Sequence, residues 1–200
     1  MSLKHSYSLI APFYDFAVKK FSTTMREKSI KNLGPLRGKK VLIAGVGTGL
    51  DLPFLPKDAV YNGCDITPAM LKIAHGRAEK YGVKIDLKID DVMDLSYADN
   101  SFDIVIMHLI LAVVPDSYRA LQECSRVLKK DGKIIIIDKF LQKNQPAPIR
   151  RFLSPLVGKI ATRLDVVFED LLDNTPALKL IKKEPLLGSD WFYRFELSKI

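Results

Sequence analysis

The sequence contains little cysteine, little histidine and no long hydrophobic run. Its 200 residues include 2 cysteines and 3 histidines. Cys64 and Cys124 each lie in an apolar pattern, so we expect buried thiols rather than a disulfide, and no metal-ligand spacing is present. The longest apolar stretch, 104–114, is interrupted by His108 and is too short to cross a bilayer. Because the sequence begins without a signal-type apolar segment, we expect a cytoplasmic location, with peripheral membrane association left open.

A glycine-rich turn follows the first apolar run. Residues 41–49 read Val-Leu-Ile-Ala-Gly-Val-Gly-Thr-Gly, and Asp65 ends a second apolar run sixteen residues after Gly49. Glycine lets the backbone turn sharply and approach a ligand closely, and a carboxylate can accept hydrogen bonds from two ribose hydroxyls. The pattern therefore predicts a ligand that carries a ribose. The alternative interpretation is a tight strand-to-helix turn of the kind found in any α/β protein.

Two common nucleotide-binding motifs are absent from this turn. A dinucleotide fingerprint, G-x-G-x-x-G/A, requires a small residue at the position of Leu50. A P-loop requires Gly-Lys-Ser/Thr after the glycines, and that tripeptide does not follow. The observed spacing, G-x-G-x-G, excludes both of these motifs.

Strand and helix patterns alternate between residues 40 and 138, which predicts a parallel sheet covered by helices. The predicted strands of this region are Lys40–Ala44, Val60–Asp65, Lys84–Ile89, Phe102–His108 and Lys133–Asp138. The helices predicted between them are 68–81, with Thr67 as N-cap, and Asp116–Leu128, with a turn at 129–132. Outside this region the patterns predict helices at 7–31 and Asp165–Asn174, and an antiparallel pair of strands at Leu178–Glu184 and Trp191–Ser198.

These motifs together resemble the class I S-adenosylmethionine-dependent methyltransferases over essentially the whole chain. Residues 41–49 match the family's glycine motif, Asp65 its ribose-binding acid, Asp90-Asp91-Val92 its adenine-binding stretch, and 126–132 its turn into the fifth strand. The resemblance implies an α/β fold built on a doubly wound, Rossmann-like seven-stranded sheet with one antiparallel strand. It also implies S-adenosyl-L-methionine as the cofactor.

The resemblance assigns roles to a set of residues. The implied cofactor-binding residues are Ala44, Gly45, Gly47, Gly49, Asp65, Ile66, Met70, Asp91, Val92 and His108. The candidate catalytic residues are His108, Tyr14 and Tyr7, with Asp138 as a further candidate base, and no metal is expected. A carbon or oxygen acceptor needs a nearby base, whereas an amine must lose its proton beforehand.

Each of these residues also has a structural interpretation. His108 could be a satisfied histidine under a loop, Tyr14 could pack on an amphipathic helix, and Asp138 could cap the end of its strand. One departure from the family pattern stands at Ile43, where an acid usually helps to orient the methionine end of the cofactor. This difference puts the strength of cofactor binding in question.

Within the superfamily, 11–15, 112–116 and the C-terminal end resemble small bacterial phosphatidylethanolamine N-methyltransferases, and quinone C-methyltransferases share several of these features. The resemblance implies a methyltransferase that acts on an amphipathic small molecule or a lipid, with a phospholipid amine as one acceptor. The alternatives are a C- or O-methyltransferase of quinone precursors or other small molecules, and a non-catalytic S-adenosylmethionine-binding protein. A nucleic-acid partner is not expected, because no Asn/Asp-Pro-Pro-Tyr/Phe tetrapeptide follows the fourth strand.

The net charge of +8 is concentrated in two segments. Residues 1–40 carry nine Lys/Arg against two Asp/Glu, and residues 139–163 carry six against none. We therefore expect both segments to contact an anionic membrane or an amphipathic substrate, although solvated lysines that aid solubility are the simpler interpretation. We expect one domain over 1–200, made of a helical cap (1–38), a cofactor-binding core (39–138), a substrate-side excursion (139–163) and a C-terminal helix with paired strands (164–200). The sequence does not predict an oligomeric state.

Overall fold

The computed structural model describes residues 22–141, 166–186 and 192–200. Tyr7, Tyr14, Trp191 and most of the predicted excursion lie outside these ranges. The described helices are α1 (22–31), α2 (Pro68–Tyr81), α3 (Ser117–Val127) and α4 (Phe168–Asp173), with a 3₁₀ turn at Leu52–Phe54. The strands are β1 (Lys40–Ala44), β2 (Val60–Asp65), β3 (Ile85–Ile89), β4 (Phe102–His108), β5 (Leu128–Asp138), β6 (Leu178–Leu186) and β7 (Phe192–Lys199).

The strands form one seven-stranded sheet in the order β3-β2-β1-β4-β5-β7-β6. Strand β7 is antiparallel to both of its neighbours, and the pairs among β1 to β5 are parallel. The predicted seven-stranded α/β sheet with one antiparallel strand is therefore confirmed. The chain winds outward in opposite directions from β1 and β4, which opens a crevice at their carboxyl ends, where open α/β sheets bind ligands.

Both faces of the central strands are buried. On one face, Leu42, Val105 and Ile136 pack with α3 and α4, and on the other, Ile43 and Ile106 pack with α2 and the end of α1. Successive side chains of a strand point to opposite faces, so a strand covered on both sides needs a nearly continuous apolar sequence. This requirement explains why the sequence of β4 is nearly all apolar.

Two predicted boundaries are wrong by three residues or more. Strand β5 begins at Leu128 rather than Lys133, because Phe102 already pairs with Leu128 and the predicted turn is accommodated as a bulge. Within this bulge Asp131 has a φ of 59°. Helix α4 begins only at Phe168, because Val167 forms a bridge with Leu141 and is held in an extended conformation.

Candidate functional site

The glycine turn between β1 and the 3₁₀ turn lies at the crevice, and its three glycines have left-handed backbones. Their φ angles are +71°, +55° and +78° at Gly45, Gly47 and Gly49. A Cβ on Gly45 would lie 2.6 Å from Ile110 Cδ1, and a Cβ on Gly49 would lie 2.7 Å from Leu52 Cδ1. A Cβ on Gly47 would meet no atom within 4 Å. Two glycines therefore allow close packing inside the protein, while Gly47 faces open space that a ligand can enter.

Asp65, at the end of β2, is held against this turn. Its Oδ2 accepts a hydrogen bond from the Gly47 amide at 2.9 Å, and its Oδ1 accepts one from the Thr67 amide at 2.9 Å. Burial raises the pKa of Asp65, and the bonds from Thr67 and Gly47 oppose that effect only in part. Thr67 is the N-cap of α2, as predicted, but its hydroxyl bonds to Asp65 and makes no capping bond to the helix. The half-buried carboxylate is thus fixed beside the open face of Gly47.

The remaining predicted cofactor residues differ in their exposure to solvent. Ile66 is 43% exposed, and the half-buried Asp91 lies near the end of β2, because the Asp90 amide bonds to the Asp65 carbonyl at 3.2 Å. Three further members are buried, namely Ala44, Met70 and Val92. The structure brings these residues to one edge of the sheet, and their contacts with a ligand stay a prediction.

A single arginine holds the segment that carries Asp91 and Val92. Arg126 donates through Nη2 to the Leu95 carbonyl at 2.7 Å and through Nη1 to Asp99 Oδ1 at 2.7 Å. The Leu95 amide in turn bonds to Glu123 of α3. The sequence marked Arg126 only as part of the turn into β5, whereas its contacts show that it fixes the loop beside the predicted adenine site.

Four buried side chains form a polar cluster under helix α1, hereafter the buried polar cluster: Arg26, Ser29, Asp51 and His108. Arg26 Nη1 donates to Asp51 Oδ2 at 2.6 Å, and His108 Nδ1 lies 2.7 Å from Asp51 Oδ1. Ser29 Oγ lies 3.0 Å from His108 Nε2. Each of these residues is less than one-tenth exposed. The structure therefore places His108, a predicted catalytic residue, with both ring nitrogens engaged inside the protein.

The charges of the buried polar cluster balance when His108 is neutral. Burial lowers the pKa of His108, and the positive charges of Arg26 and Arg194 act in the same direction against the attraction of Asp51. Burial by itself would raise the pKa of Asp51, but Arg26 and His108 together hold it well below its usual range. A neutral ring with its proton on Nδ1 donates to Asp51 and accepts from the Ser29 hydroxyl, so it satisfies both contacts.

Two further predicted features are buried. Asp138 Oδ2 accepts from the Ala112 amide at 3.0 Å and Oδ1 from the Lys139 amide at 2.8 Å, which is the strand-end cap considered above. Burial raises the pKa of this carboxyl. Ile43 is 1% exposed and lies in the apolar cluster with Ile106, so no charge occupies that strand position.

Sequence reasoning missed three members of the buried polar cluster. Arg26 and Ser29 interrupt the apolar face of α1, and a charged residue inside such a face was an available signal. Asp51 gave no signal, because its partners lie 25 and 57 residues away along the chain.

The residues of the crevice fit the cofactor implied by the sequence. Gly47 leaves room for a ligand beside the backbone, Asp65 offers a fixed acceptor for ribose hydroxyls, and the exposed Ile66 offers an apolar surface for a base. Among the described residues, no group of three or more His, Cys, Asp or Glu side chains could hold a metal ion.

Comparisons with known proteins find relatives over most of the chain. The family model described as "Methyltransferase domain" matches residues 42–136. The chain is 29% identical over 188 residues to a phosphatidylethanolamine N-methyltransferase of Cereibacter sphaeroides, covering 92% of each chain. It is 32% identical over 189 residues to a ubiquinone/menaquinone biosynthesis C-methyltransferase of Bdellovibrio bacteriovorus, covering 88% of this chain and 80% of the relative.

Solved structures share the fold. An S-adenosylmethionine-dependent methyltransferase from Thermotoga maritima superposes with a TM-score of 0.69 at 23% identity, covering 99% of this chain and 100% of that one. At this identity the likeness supports the fold alone.

Proposed function

Because the chain belongs to the class I S-adenosylmethionine-dependent methyltransferases, we propose that it transfers the methyl group to an amine of an amphipathic acceptor, foremost a phospholipid amine. The bound cofactor supplies an electrophilic methyl group. The glycine turn and Asp65 hold it by backbone approach and by hydrogen bonds to its ribose. The task of the protein is then to align the acceptor and to exclude water.

One observation carries the preference for an amine. At the carboxyl ends of β4 and β5, the two described residues considered as bases, His108 and Asp138, are both buried and hydrogen-bonded within the protein. A carbon or oxygen acceptor needs a positioned base, whereas an amine can lose its proton to water before it binds. An amine acceptor therefore does not require a free base among the described residues at this edge of the sheet.

The likeness to the Cereibacter protein supports a lipid acceptor, because it extends over 92% of both chains. The charge distribution agrees, since the two basic segments, 1–40 and 139–163, are suited to an anionic surface. A basic residue near such a surface contributes about 1 kcal/mol to binding. No helix in the described part of the chain is long and apolar enough to cross a membrane. We therefore propose peripheral contact with the membrane rather than insertion of a described helix.

Methylation of a quinone precursor is the second candidate. The 32% identity to the Bdellovibrio C-methyltransferase favours it. This reaction would require a base, and Tyr7 and Tyr14, which lie outside the described residues, are the remaining predicted candidates. A binding protein without catalysis is the third alternative, for which the acid missing at Ile43 was the reason.

The test offers labelled S-adenosylmethionine together with a total lipid extract in one reaction and a set of quinone precursors in another. Mass analysis then identifies the labelled products. We expect label in lipid amines, and we expect the Asp65→Asn variant to lose this signal. Label confined to quinone precursors would overturn the proposed acceptor. Binding of the cofactor without any product would favour the non-catalytic alternative.

Membrane contact is tested separately by co-sedimentation with vesicles. Vesicles of phosphatidylcholine alone are compared with vesicles that also contain phosphatidylglycerol, each at low and high salt. We expect binding only to the anionic vesicles and release by salt, because screening weakens attraction between exposed charges. Equal binding to both vesicle types at low salt would contradict the proposal.

A further inference from the structure

The buried polar cluster joins three parts of the molecule that surround the crevice. Arg26 and Ser29 come from α1, Asp51 follows the glycine turn by two residues, and His108 ends β4. The Leu52 amide bonds to the Gly49 carbonyl at 3.1 Å, so Asp51 lies within one tightly turned segment with the glycine turn. Any displacement of Asp51 is therefore transmitted directly to the loop that receives the cofactor.

The ion pair inside the cluster is costly to break. The side chains of Arg26 and Asp51 are only 8% and 2% exposed. Removal of one partner of a buried ion pair leaves an uncompensated charge, which is strongly destabilising. If α1 leaves the sheet, Asp51 loses its cation and must move towards water, and the segment that includes Gly49 must move with it.

We propose that Arg26, Ser29, Asp51 and His108 are positioning residues that couple the docking of α1 to the ordering of the cofactor loop. The inference depends on the family's cofactor and not on the acceptor proposed above. Because coupling between two events is reciprocal, cofactor binding strengthens the docking of α1 to the same extent as docking strengthens cofactor binding. None of the four residues is required to touch the reacting atoms.

The charge arrangement gives this coupling a specific signature. Among the described residues, His108 faces Asp51, Ser29, Arg26 and Arg194. Arg194 is already paired with Glu184 and Glu196. In an Arg26→Met variant, Asp51 would lose its ion pair and His108 would lose a repelling charge, so the pKa of His108 would rise. Its protonated form would then replace the missing cation.

The sign of the resulting pH dependence follows from that change. A histidine whose pKa rises through a gained partner stabilises the folded arrangement below that pKa and ceases to do so above it. In Arg26→Met, affinity for the cofactor is therefore expected to fall as pH rises through the pKa of His108. The wild type keeps its arginine charge, so it should show no such fall over the same range.

The experiment measures binding of S-adenosylhomocysteine by calorimetry between pH 5.5 and 8.5, a range chosen to bracket the ordinary pKa of histidine of about 6.5. We expect Arg26→Met to bind roughly 5- to 150-fold more weakly than wild type at the alkaline end, the usual range of such coupling. The double variant Arg26→Met/His108→Asn should bind weakly at every pH. The conservative Arg26→Lys should show no fall in affinity as pH rises, because it keeps the charge. Lys31→Met, which removes an exposed cation of the same helix, is the matched control and should bind as wild type does.

A second measurement reports on the docking of α1 directly. Hydrogen exchange of the α1 amides is compared with and without S-adenosylhomocysteine. We expect added ligand to increase protection of residues 22–31 in the wild type and in Lys31→Met, and to do so much less in Ser29→Ala, which leaves His108 Nε2 without its partner. If Arg26→Met does not fold, Ser29→Ala carries the test alone.

Three results would overturn the inference. They are wild-type affinity of Arg26→Met at all pH values, a fall in affinity with rising pH that survives in the double variant, and ligand-induced protection of α1 that is equal in wild type and Ser29→Ala. Because each measurement uses the cofactor product alone, failure of this inference is distinguishable from failure of the proposed acceptor.

Discussion

The charge of Asp65 is the feature of the crevice whose removal has the clearest expected effect. The substitution Asp65→Asn keeps the shape of the side chain and one carbonyl acceptor, but it removes the negative charge that is predicted to face the ribose. Asp65→Ala is less informative, because it would leave the amides of Gly47 and Thr67 without their acceptors as well. The asparagine variant therefore separates ligand binding from folding more cleanly.

The magnitude follows from the contacts of this carboxylate. A hydrogen bond to a charged group contributes about 1.5–3 kcal/mol. Loss of one such bond corresponds to roughly 10- to 150-fold in affinity. The cost to stability is expected to be smaller, because burial raises the pKa of Asp65 and the fold already disfavours its charged form. In the variant, loss of one amide hydrogen bond destabilises the fold, whereas removal of the half-buried charge stabilises it, so the two effects partly cancel.

The assay is calorimetric titration with S-adenosylhomocysteine, accompanied by thermal unfolding of the free protein. Asp103→Asn is the matched control, since Asp103 also accepts a backbone amide, from Lys40 at 2.8 Å, but lies at the amino end of β4. Wild-type affinity should fall as pH is lowered through the raised pKa of Asp65, and the asparagine variant should lack that fall. Affinity of Asp65→Asn within twofold of both wild type and Asp103→Asn would refute the assigned role.

Three further predictions concern the same region. Ile43→Asp should destabilise the protein by roughly 3 kcal/mol or more in urea unfolding, because it places an unpaired charge in the apolar core, whereas Ile43→Val should cost only about 0.5–1.5 kcal/mol; equal midpoints for the two variants would contradict this. Gly49→Ala should lower the melting temperature more than Gly47→Ala, since its Cβ would lie 2.7 Å from a leucine carbon while that of Gly47 meets nothing within 4 Å. Gly47→Ala should instead lose affinity for S-adenosylhomocysteine in calorimetry, and unchanged affinity would show that no ligand approaches this glycine. Arg126→Met should increase proteolysis at 95–99, because it releases two carbonyls and an aspartate of that loop, and an unchanged cleavage rate would refute its anchoring role.

The local patterns of the sequence predicted most of the sheet, because they record burial directly. Strands β1, β2 and β4 have the predicted bounds, and α2 ends at Tyr81 before Gly82, whose φ of 63° suits a helix C-cap. Predicted boundaries were wrong where pairing with a neighbouring segment outweighed the local preference for a helix. Leu128 and Val167 were expected in helices, but hydrogen bonds to a neighbouring segment hold both residues in extended conformations.

The candidate site also has a part that local sequence predicted and a part that it did not. Asp65 was predictable, because the glycine spacing and the end of β2 are both visible along the chain, and the structure places its carboxylate on the Gly47 amide. The differing surroundings of Gly47 and Gly49 were not predictable. They depend on how the chain folds back against the turn, which places Leu52 and the backbone of Ala74 against Gly49 and leaves Gly47 open.

The sequence alone determined the alternation of strands and helices, the glycine turn and the acid that follows it, since each depends on residues close together along the chain. Only the tertiary structure decided that His108 lies buried between Asp51 and Ser29 rather than open to the crevice. The physical reason is that the fate of a polar side chain depends on whether burial brings it a partner. Here the partners come from a helix and a loop that lie 79 and 57 residues from His108 along the chain.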